Sequence, residues 1–200
     1  MSLAERLRAA LTSGGDTMPE LLTGDLTALE LENAPPAAAA AVLVAVTDRP
    51  EPGVILTQRT DTLRKHPGQV AFPGGRIDPT DSGPVAAALR EAWEEIGLPA
   101  SAVELIGPVD RYHTGTGFDV TPVLGVVPPD LAYVPAVAEV ADVFEVPLAH
   151  LLNPANHLPG SAEWQGRIRH YHQIEWQGRR IWGATAAMIV NLSRRLTWPI

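Results

Sequence analysis

The sequence predicts an α/β domain with a mixed central sheet, and three observations support this fold class. The apolar run "AAAVLVAV" at residues 39–46 has the length and composition of a strand that is buried on both faces. Residues 84–96 combine an apolar face with a charged face, which is typical of a helix packed on a sheet. Most other apolar segments are short and are separated by turns rich in Gly, Pro and Asp.

Length and composition exclude several functional classes. A chain of 200 residues with 46% apolar and 19% charged residues suits one globular core with a short extension. The formal net charge of −8 argues against binding nucleic acid through a broad basic surface. The absence of cysteine excludes disulfides, thiolate zinc sites and thiol nucleophiles. The longest apolar run, residues 34–46, is too short to cross a bilayer, and the N-terminus lacks a signal-peptide core. We therefore expect a cytoplasmic protein without a membrane partner.

The N-terminal region is expected to lie outside the main domain. Leucines at every fourth position predict a short amphipathic helix over residues 2–12. Residues 13–35 are rich in Gly, Thr, Asp and Pro and predict a loop or linker. We therefore divide the chain into an N-terminal helix and linker, residues 1–35, and a main domain, residues 36–200. Two roles are open for the helix, which either caps the domain or contacts a second subunit in a homodimer.

The main domain is expected to hold strands and further helical regions in a definite order. The predicted elements are a hairpin of strands 39–46 and 54–60, a mostly irregular region 61–83, a helix that begins at Pro84 and ends at Gly97, strands within 103–114 and 118–127, a helical region over 137–152 broken by Pro147, a hairpin about Gln177 and Gly178, and a helix over 184–196. Pro84 suits a first helical position, with Asp81 or Ser82 as the N-cap.

The helix over 84–96 gathers three carboxylates. Glu91, Glu94 and Glu95 fall within an arc of roughly 100°. Like charges at these spacings, together with anions in the last helical turn, cost on the order of 1–2 kcal/mol. Arg90 is the basic residue beside them, and one cation cannot neutralise three acids. The opposite face of this helix is expected to pack on the sheet through Val85, Leu89, Ala92, Trp93 and Ile96.

A divalent cation would remove this repulsion. Mg²⁺ and Mn²⁺ take oxygen ligands, and carboxylates one helical turn apart can share an ion. The glycine-rich approach "FPGG" at residues 72–75 would let the backbone come close to the metal and to a ligand. Such a site suits phosphoryl chemistry, because a metal bridges phosphate oxygens and stabilises developing charge. The alternative is an ordinary solvated helix face.

These residues resemble the Nudix box, a loop–helix–loop that binds divalent metal and serves hydrolysis of a diphosphate linked to another group. The second half of the box matches throughout, from Arg90 to Leu98, as "REAWEEIGL". In the first half, counted from Gly75, Asp81 stands in place of the first glutamate and one extra residue precedes Arg90. The resemblance implies a Nudix α/β/α sandwich with a mixed central sheet and a loop–helix–loop metal site.

The resemblance also implies roles for individual residues. The implied metal ligands are three box carboxylates and one glycine, namely Glu91, Glu94, Glu95 and Gly75. Arg90 is implied to orient the site through ion pairs. A further carboxylate, Glu139, is our candidate for activating or orienting the attacking water. Alternatively Glu94 or Glu95 activates the water, and the sequence leaves both schemes open.

A second motif narrows the substrate. The segment "ILTQRTDTLRKHPGQVAFPGG", residues 55–75, resembles the signature found upstream of the box in coenzyme A pyrophosphatases. The matching positions are Leu56, Thr57, Arg64, Gly68, Phe72, Pro73, Gly74 and Gly75. The resemblance implies cleavage of coenzyme A or acyl-coenzyme A to 3′,5′-ADP and 4′-phosphopantetheine or its acyl form. The implied substrate-binding residues are Arg64, Lys65, Gly68, Phe72 and Gly74, and the two cations suit phosphate groups.

Two other functions stay open. One is a Nudix pyrophosphatase that acts on ADP-ribose, NADH or another nucleoside diphosphate derivative. The other is a non-catalytic Nudix domain that binds a nucleotide as a sensor. The intact pairs Arg90–Glu91 and Glu94–Glu95 favour an enzyme, because a pure binding module does not need a full metal set.

Overall fold

Strands make up most of the regular structure, as the many short apolar runs predict. The computed structural model describes residues 1–12, 20–25, 32–62, 66–164 and 166–196, except for the side chains of Trp164 and Arg167. Its helices are α1 (Leu3–Thr12), α2 (Pro84–Ile96), α3 (Leu148–Leu152) and α4 (Ala184–Arg195). Its strands are β1 (Ala38–Thr47), β2 (Gly53–Arg59), β3 (Val70–Ala71), β4 (Gly74–Arg76), β5 (Glu104–Pro108), β6 (Tyr112–His113), β7 (Phe118–Val127), β8 (Val140–Pro147), β9 (Leu158–Trp164), β10 (Arg167–Trp176) and β11 (Arg179–Trp182).

The larger sheet is organised around β1. This strand pairs in parallel with β7 along its whole length, from Ala38 opposite Phe118 to Thr47 opposite Val127. On its other edge it pairs antiparallel with β4 near its start and with β2 near its end. The eight-stranded sheet therefore combines parallel and antiparallel pairs, which confirms the predicted mixed sheet.

Both faces of β1 are buried, as its uninterrupted apolar sequence predicts. Successive side chains on a strand point to opposite faces. Leu43 and Ala45 accordingly lie in a smaller core with α2, whereas Val44 and Val46 lie in a larger core on the other face. The larger core also contains buried residues of α1, α3 and α4. One helix on one face of the sheet and three on the other form the expected α/β/α arrangement.

One predicted helical segment is wrong. Residues 137–144, expected to be helical, instead turn into β8, which pairs with β2 from Pro147 opposite Gly53 to Val140 opposite Arg59. Its apolar residues recur at helical spacing, but long-range pairing along all of β2 outweighs that weak local preference. The helix after Pro147 is confirmed as α3. The short strands β3 and β4 also interrupt region 61–83, which was expected to be mostly irregular.

The predicted N-terminal helix is confirmed, and it packs into the main core. Leu3 and Leu7 are buried in the larger core, and the Arg8 guanidinium donates to the Leu105 carbonyl at 2.8 Å. In the described part of the predicted linker, the backbone of Leu22 exchanges two 2.8 Å hydrogen bonds with the Asn191 side chain. Helix α1 therefore closes the core of this chain, while the domain division at residue 35 stays a prediction.

The C-terminal part confirms the predicted hairpin and last helix. Strands β10 and β11 are joined by Gln177 and Gly178, whose φ angles of 46° and 77° suit the tight two-residue turn of a hairpin. With β9 they form a separate three-stranded sheet, and α4 follows. Across the described residues, no helix has both the length and the apolar character required to cross a bilayer.

Leu7→Ala should destabilise the whole domain, because its side chain is fully buried in the larger core. We expect a loss of about 2–5 kcal/mol in the free energy of unfolding, measured by urea denaturation. Ile168→Ala, which truncates an exposed aliphatic side chain of β10, is the matched control and should change stability by about 0.5 kcal/mol or less. Equal effects of the two variants would show that α1 is not part of the core.

Candidate functional site

Helix α2 turns one of its carboxylates toward the sheet. Gly83 is the N-cap without a side-chain capping bond, so neither Asp81 nor Ser82 takes the predicted capping role. The inward face carries alanines, Ile96 and Glu95, which is only 6% exposed. Trp93, expected to pack on the sheet, is instead 59% exposed. The three predicted acids therefore do not share one environment: the side of α2 that packs on the sheet includes Glu95, whereas Glu94 lies outside it.

The buried Glu95 carboxylate lies against the glycine loop. The backbone N–H of Gly74 donates to Glu95 Oε2 at 3.1 Å. The pKa of Glu95 is raised to about 7, chiefly by burial and also by the charges of Glu91 and Glu139, against the opposing effects of the Gly74 hydrogen bond and Arg59. The Gly74 hydrogen bond and the charge of Arg59 are therefore too weak to offset the loss of hydration of the ionised Glu95 carboxylate.

Gly74 and Gly75 permit this close approach. They pair with Val42 and Ala41 of β1, which brings the loop across the end of the sheet. A Cβ atom on Gly74 would lie 2.4 Å from the Ala41 carbonyl oxygen, and one on Gly75 would lie 2.5 Å from Glu91 Oε1. Any side chain at these two positions would displace either the central strand or the Glu91 carboxylate. The sequence predicted that these glycines allow a close approach of the backbone, and this geometry agrees with that prediction.

Arg90 holds the remaining acids of the box. Its guanidinium donates to both carboxylate oxygens of Asp81, at 3.1 and 2.9 Å, and to the Arg76 carbonyl at 3.0 Å. Its Nη1 also donates to Glu91 Oε1 at 3.0 Å and to Glu94 Oε2 at 2.9 Å. The hydrogen bonds from Arg90 hold the pKa of Asp81 below its usual value. Sequence reasoning missed this anchoring role of Asp81, because the residue stands in a loop without periodicity.

Glu139 joins the same cluster from another element. It lies in the turn before β8, where its carbonyl accepts from the Thr60 N–H at 3.0 Å. Burial raises the pKa of Glu91, and the charges of Glu94 and Glu139 add to that rise. The structure therefore brings Glu139 close to Glu91 and Glu95, although its exposed side chain makes no hydrogen bond with any described residue.

The predicted substrate-binding residues fall in different places. Arg64 and Lys65 lie outside the described residues. Phe72 is buried in the larger core, and its role in substrate binding stays a prediction. Gly68 lines a cleft beside β11, and Gly74 contacts Glu95.

The acidic cluster combines several carboxylates, which are the usual protein ligands of hard divalent cations. Among the described residues, no three acidic or histidine side chains already converge as a ligand set. The hydrogen bonds explain this, because Glu91 and Glu94 turn toward Arg90 while Glu95 accepts from Gly74. The donor chemistry nevertheless fits, since the cluster offers only carboxylate oxygens and Glu95 is a buried carboxylate without a basic partner at hydrogen-bonding distance. Mg²⁺ and Mn²⁺ match such oxygens.

Comparison with known families decides the classification. The model of the NUDIX domain matches residues 36–166, which include α2, the glycine loop and Glu139. The chain belongs to the Nudix family. Nudix hydrolases generally use divalent metal ions and act on small molecules, and membership supports an enzyme that hydrolyses a diphosphate.

Curated relatives agree with this family. The chain is 49% identical over 158 residues to "Uncharacterized Nudix hydrolase NudL" of Cronobacter sakazakii, covering 78% of this chain and 82% of the relative. It is 47% identical over 157 residues to the protein of the same name from Escherichia coli K12, with the same coverage. A solved Nudix hydrolase of M. smegmatis, RenU, matches 58% of this chain and 74% of its own with a TM-score of 0.49 and 26% identity.

Glu95→Gln should stabilise the metal-free Nudix domain. Between pH 4.5, the ordinary pKa, and about 7, the unfolded carboxyl ionises while the folded one stays protonated. The wild-type free energy of unfolding should therefore fall across that window, and the gain from the amide should be largest above pH 7. We expect about 1–3 kcal/mol in urea denaturation with a chelator present. The exposed Glu94→Gln is the control, and a gain of equal size there would contradict this explanation.

Asp81→Ala should lower turnover although Asp81 itself is not expected to bind metal. Its side chain is 6% exposed and fixes the guanidinium of Arg90, which in turn holds Glu91 and Glu94. We expect a decrease of about ten-fold or more in kcat, measured on the preferred diphosphate substrate. Asp78→Ala is the matched control, since that side chain is 58% exposed and lies 3.9 Å from Arg90. Equal losses would assign the effect to the loop in general.

Proposed function

We propose that this Nudix hydrolase cleaves the diphosphate of coenzyme A and acyl-coenzyme A, in a reaction that depends on a divalent metal. The products would be 3′,5′-ADP and 4′-phosphopantetheine or its acyl form. The observation that carries the proposal is the contact of the Gly74–Gly75 loop with Glu91 and Glu95. That loop ends the segment 55–75 that resembles the coenzyme A signature, so the substrate signature and the acidic cluster meet in one place.

The box residues are proposed to hold the reacting groups. Glu91, Glu94 and Glu95, with the backbone at Gly75, would hold Mg²⁺ or Mn²⁺. When bound, such a cation neutralises phosphate charge and acidifies water. Arg90 restrains the Glu91 and Glu94 carboxylates through the hydrogen bonds of its Nη1. It is thereby a positioning residue for the cluster.

Glu139 remains our candidate for orienting the attacking water. It is the carboxylate of the cluster that neither Arg90 nor Gly74 engages in the described structure. It lies near Glu91 and Glu95, two of the carboxylates that would hold the cation. In the alternative, Glu94 or Glu95 activates the water although its carboxylate already accepts a hydrogen bond, from Arg90 or Gly74, through Oε2. We therefore prefer Glu139 for this step.

The substrate preference rests on the upstream signature. Its first residues lie in β2 and its last residues in β3 and β4, and Thr57 of β2 pairs with Ala71 of β3. The intervening connection contains Arg64 and Lys65, which are proposed to bind phosphate groups of the substrate. The two described ends of this connection are joined, because the Arg59 N–H donates to the Gln69 carbonyl at 2.9 Å, and β3 leads from there to the glycine loop.

Purified protein should hydrolyse coenzyme A and acetyl-coenzyme A with higher kcat/KM than ADP-ribose or NADH, with Mg²⁺ or Mn²⁺ present. Mass spectrometry of the products should show 3′,5′-ADP. Preference for ADP-ribose or NADH would replace the proposed substrate with another nucleoside diphosphate derivative. Binding of nucleotides without any turnover would make the protein a sensor.

Glu94→Gln should reduce turnover by orders of magnitude if the box carboxylates hold the metal. Its side chain is exposed, so the fold should be retained and thermal unfolding should change little. Glu104→Gln, which alters a surface ion pair with Arg8, is the control and should keep full activity. Near-normal turnover of Glu94→Gln would remove this residue from the metal set.

A further inference from the structure

A cleft of about 380 Å³ opens between the β10–β11 hairpin and the segment before β3. Its lining includes Gln58, His66, Gly68, Arg179, Arg180 and Trp182. The segment belongs to the upstream signature, whereas the hairpin lies in the separate three-stranded sheet, beyond residues 36–166 of the family match. One side of the cleft is therefore formed by residues outside the family match, and the Nudix box does not line it.

The two arginines of the hairpin differ in how they are engaged. Arg179 forms an ion pair with Asp142 and lies over the Phe144 ring, 4.1 Å from its centroid. Arg180 is exposed, and none of the described carboxylates lies within ion-pairing distance of it. Arg179 is thus neutralised within the protein, while the charge of Arg180 is available to a ligand.

Arg180 is also held in place before any ligand arrives. Its Nε donates to Gln173 Oε1 at 2.8 Å, and its Nη2 donates to the Tyr171 hydroxyl. Its guanidinium carbon lies 5.5 Å from the Tyr171 ring centroid and 5.2 Å from that of Trp182. Nη1 makes no hydrogen bond to any described residue. A cation fixed by neutral partners costs little further ordering when it binds an anion.

The cleft lies within a short reach of the acidic cluster. Val70 lines the cleft, and the chain runs from it to Gly74, whose amide contacts Glu95. Four residues span at most about 14 Å. Gln58 lines the cleft from β2, and its neighbour Arg59 acts on the pKa of Glu95. A nucleoside whose diphosphate lies at the cluster would reach the cleft with its other end.

On the basis of the proposed function, we propose that Arg180 binds the ribose 3′-phosphate of coenzyme A and selects for it. A phosphate monoester carries about −1.5 to −2 charges at neutral pH and three acceptor oxygens, which suit an arginine. ADP-ribose, NADH and dephospho-coenzyme A lack this group. Arg180 would therefore act on specificity, at a place separate from the bond that is cleaved.

The first test compares coenzyme A with dephospho-coenzyme A. Wild type should prefer coenzyme A, and Arg180→Ala should lower kcat/KM for it by about 10- to 100-fold. Activity on dephospho-coenzyme A should stay within about two-fold, which also shows that the variant is folded. Arg180→Lys should lose part of the preference, because an ammonium ion lacks the planar fork. Arg8→Ala, on α1, is the control for removal of a surface cation.

Equal losses on both substrates, or an unchanged preference, would overturn the assignment of Arg180. Should wild type hydrolyse neither compound, the proposed function fails and titration calorimetry still tests the cleft. The site predicts that 3′,5′-ADP binds more tightly than 5′-AMP and that Arg180→Ala removes the difference. Equal binding of the two nucleotides to wild type would refute the phosphate site independently of catalysis.

Discussion

The hydrogen bond from the Gly74 amide to the Glu95 carboxylate is the contact on which the geometry of the site depends. It joins the edge of the central sheet to the inward face of α2. The sheet side of this contact is set by pairing of β4 with β1, and the helix side by alanines that let α2 pack closely. Glycine at positions 74 and 75 is required because a side chain there would meet β1 or Glu91. Sheet, loop and helix thus meet at one buried carboxylate.

The negative charges of Glu91 and Glu94 are paired with an arginine, whereas the negative charge of Glu95 is not. Arg90, itself fixed by Asp81, shares its Nη1 between Glu91 and Glu94. Glu95 has only a backbone amide and the more distant charge of Arg59, and burial raises its pKa to about 7. We infer that the electrostatic repulsion among the three glutamates of α2 acts mainly on Glu95. A cation would supply for Glu95 what Arg90 supplies for its neighbours, at the cost of stability when the metal is absent.

Much of the fold could be predicted from local sequence patterns. The elements that were predicted wrongly depend on contacts between residues far apart in the sequence. The β1 run, the start of α2 at Pro84 and the Gln177–Gly178 turn were predictable, because each depends on residues adjacent in sequence. Strand β8 was not, since its apolar spacing imitates a helix and only β2 decides the outcome. For the site, the acidic cluster was predictable as a group. The anchoring by Asp81 and the availability of Arg180 were not, because both depend on contacts between separate elements.

The sequence by itself determined the composition of the site: three box glutamates with one arginine, a pair of glycines and a family membership that the domain match supports. Only the tertiary structure decided that Glu95 is buried while Glu94 is exposed. It also placed Glu139 beside the box, brought there by a strand rather than by a helix. The physical reason is that helical spacing defines which side chains share a face, whereas burial depends on which part of that face packs against the sheet.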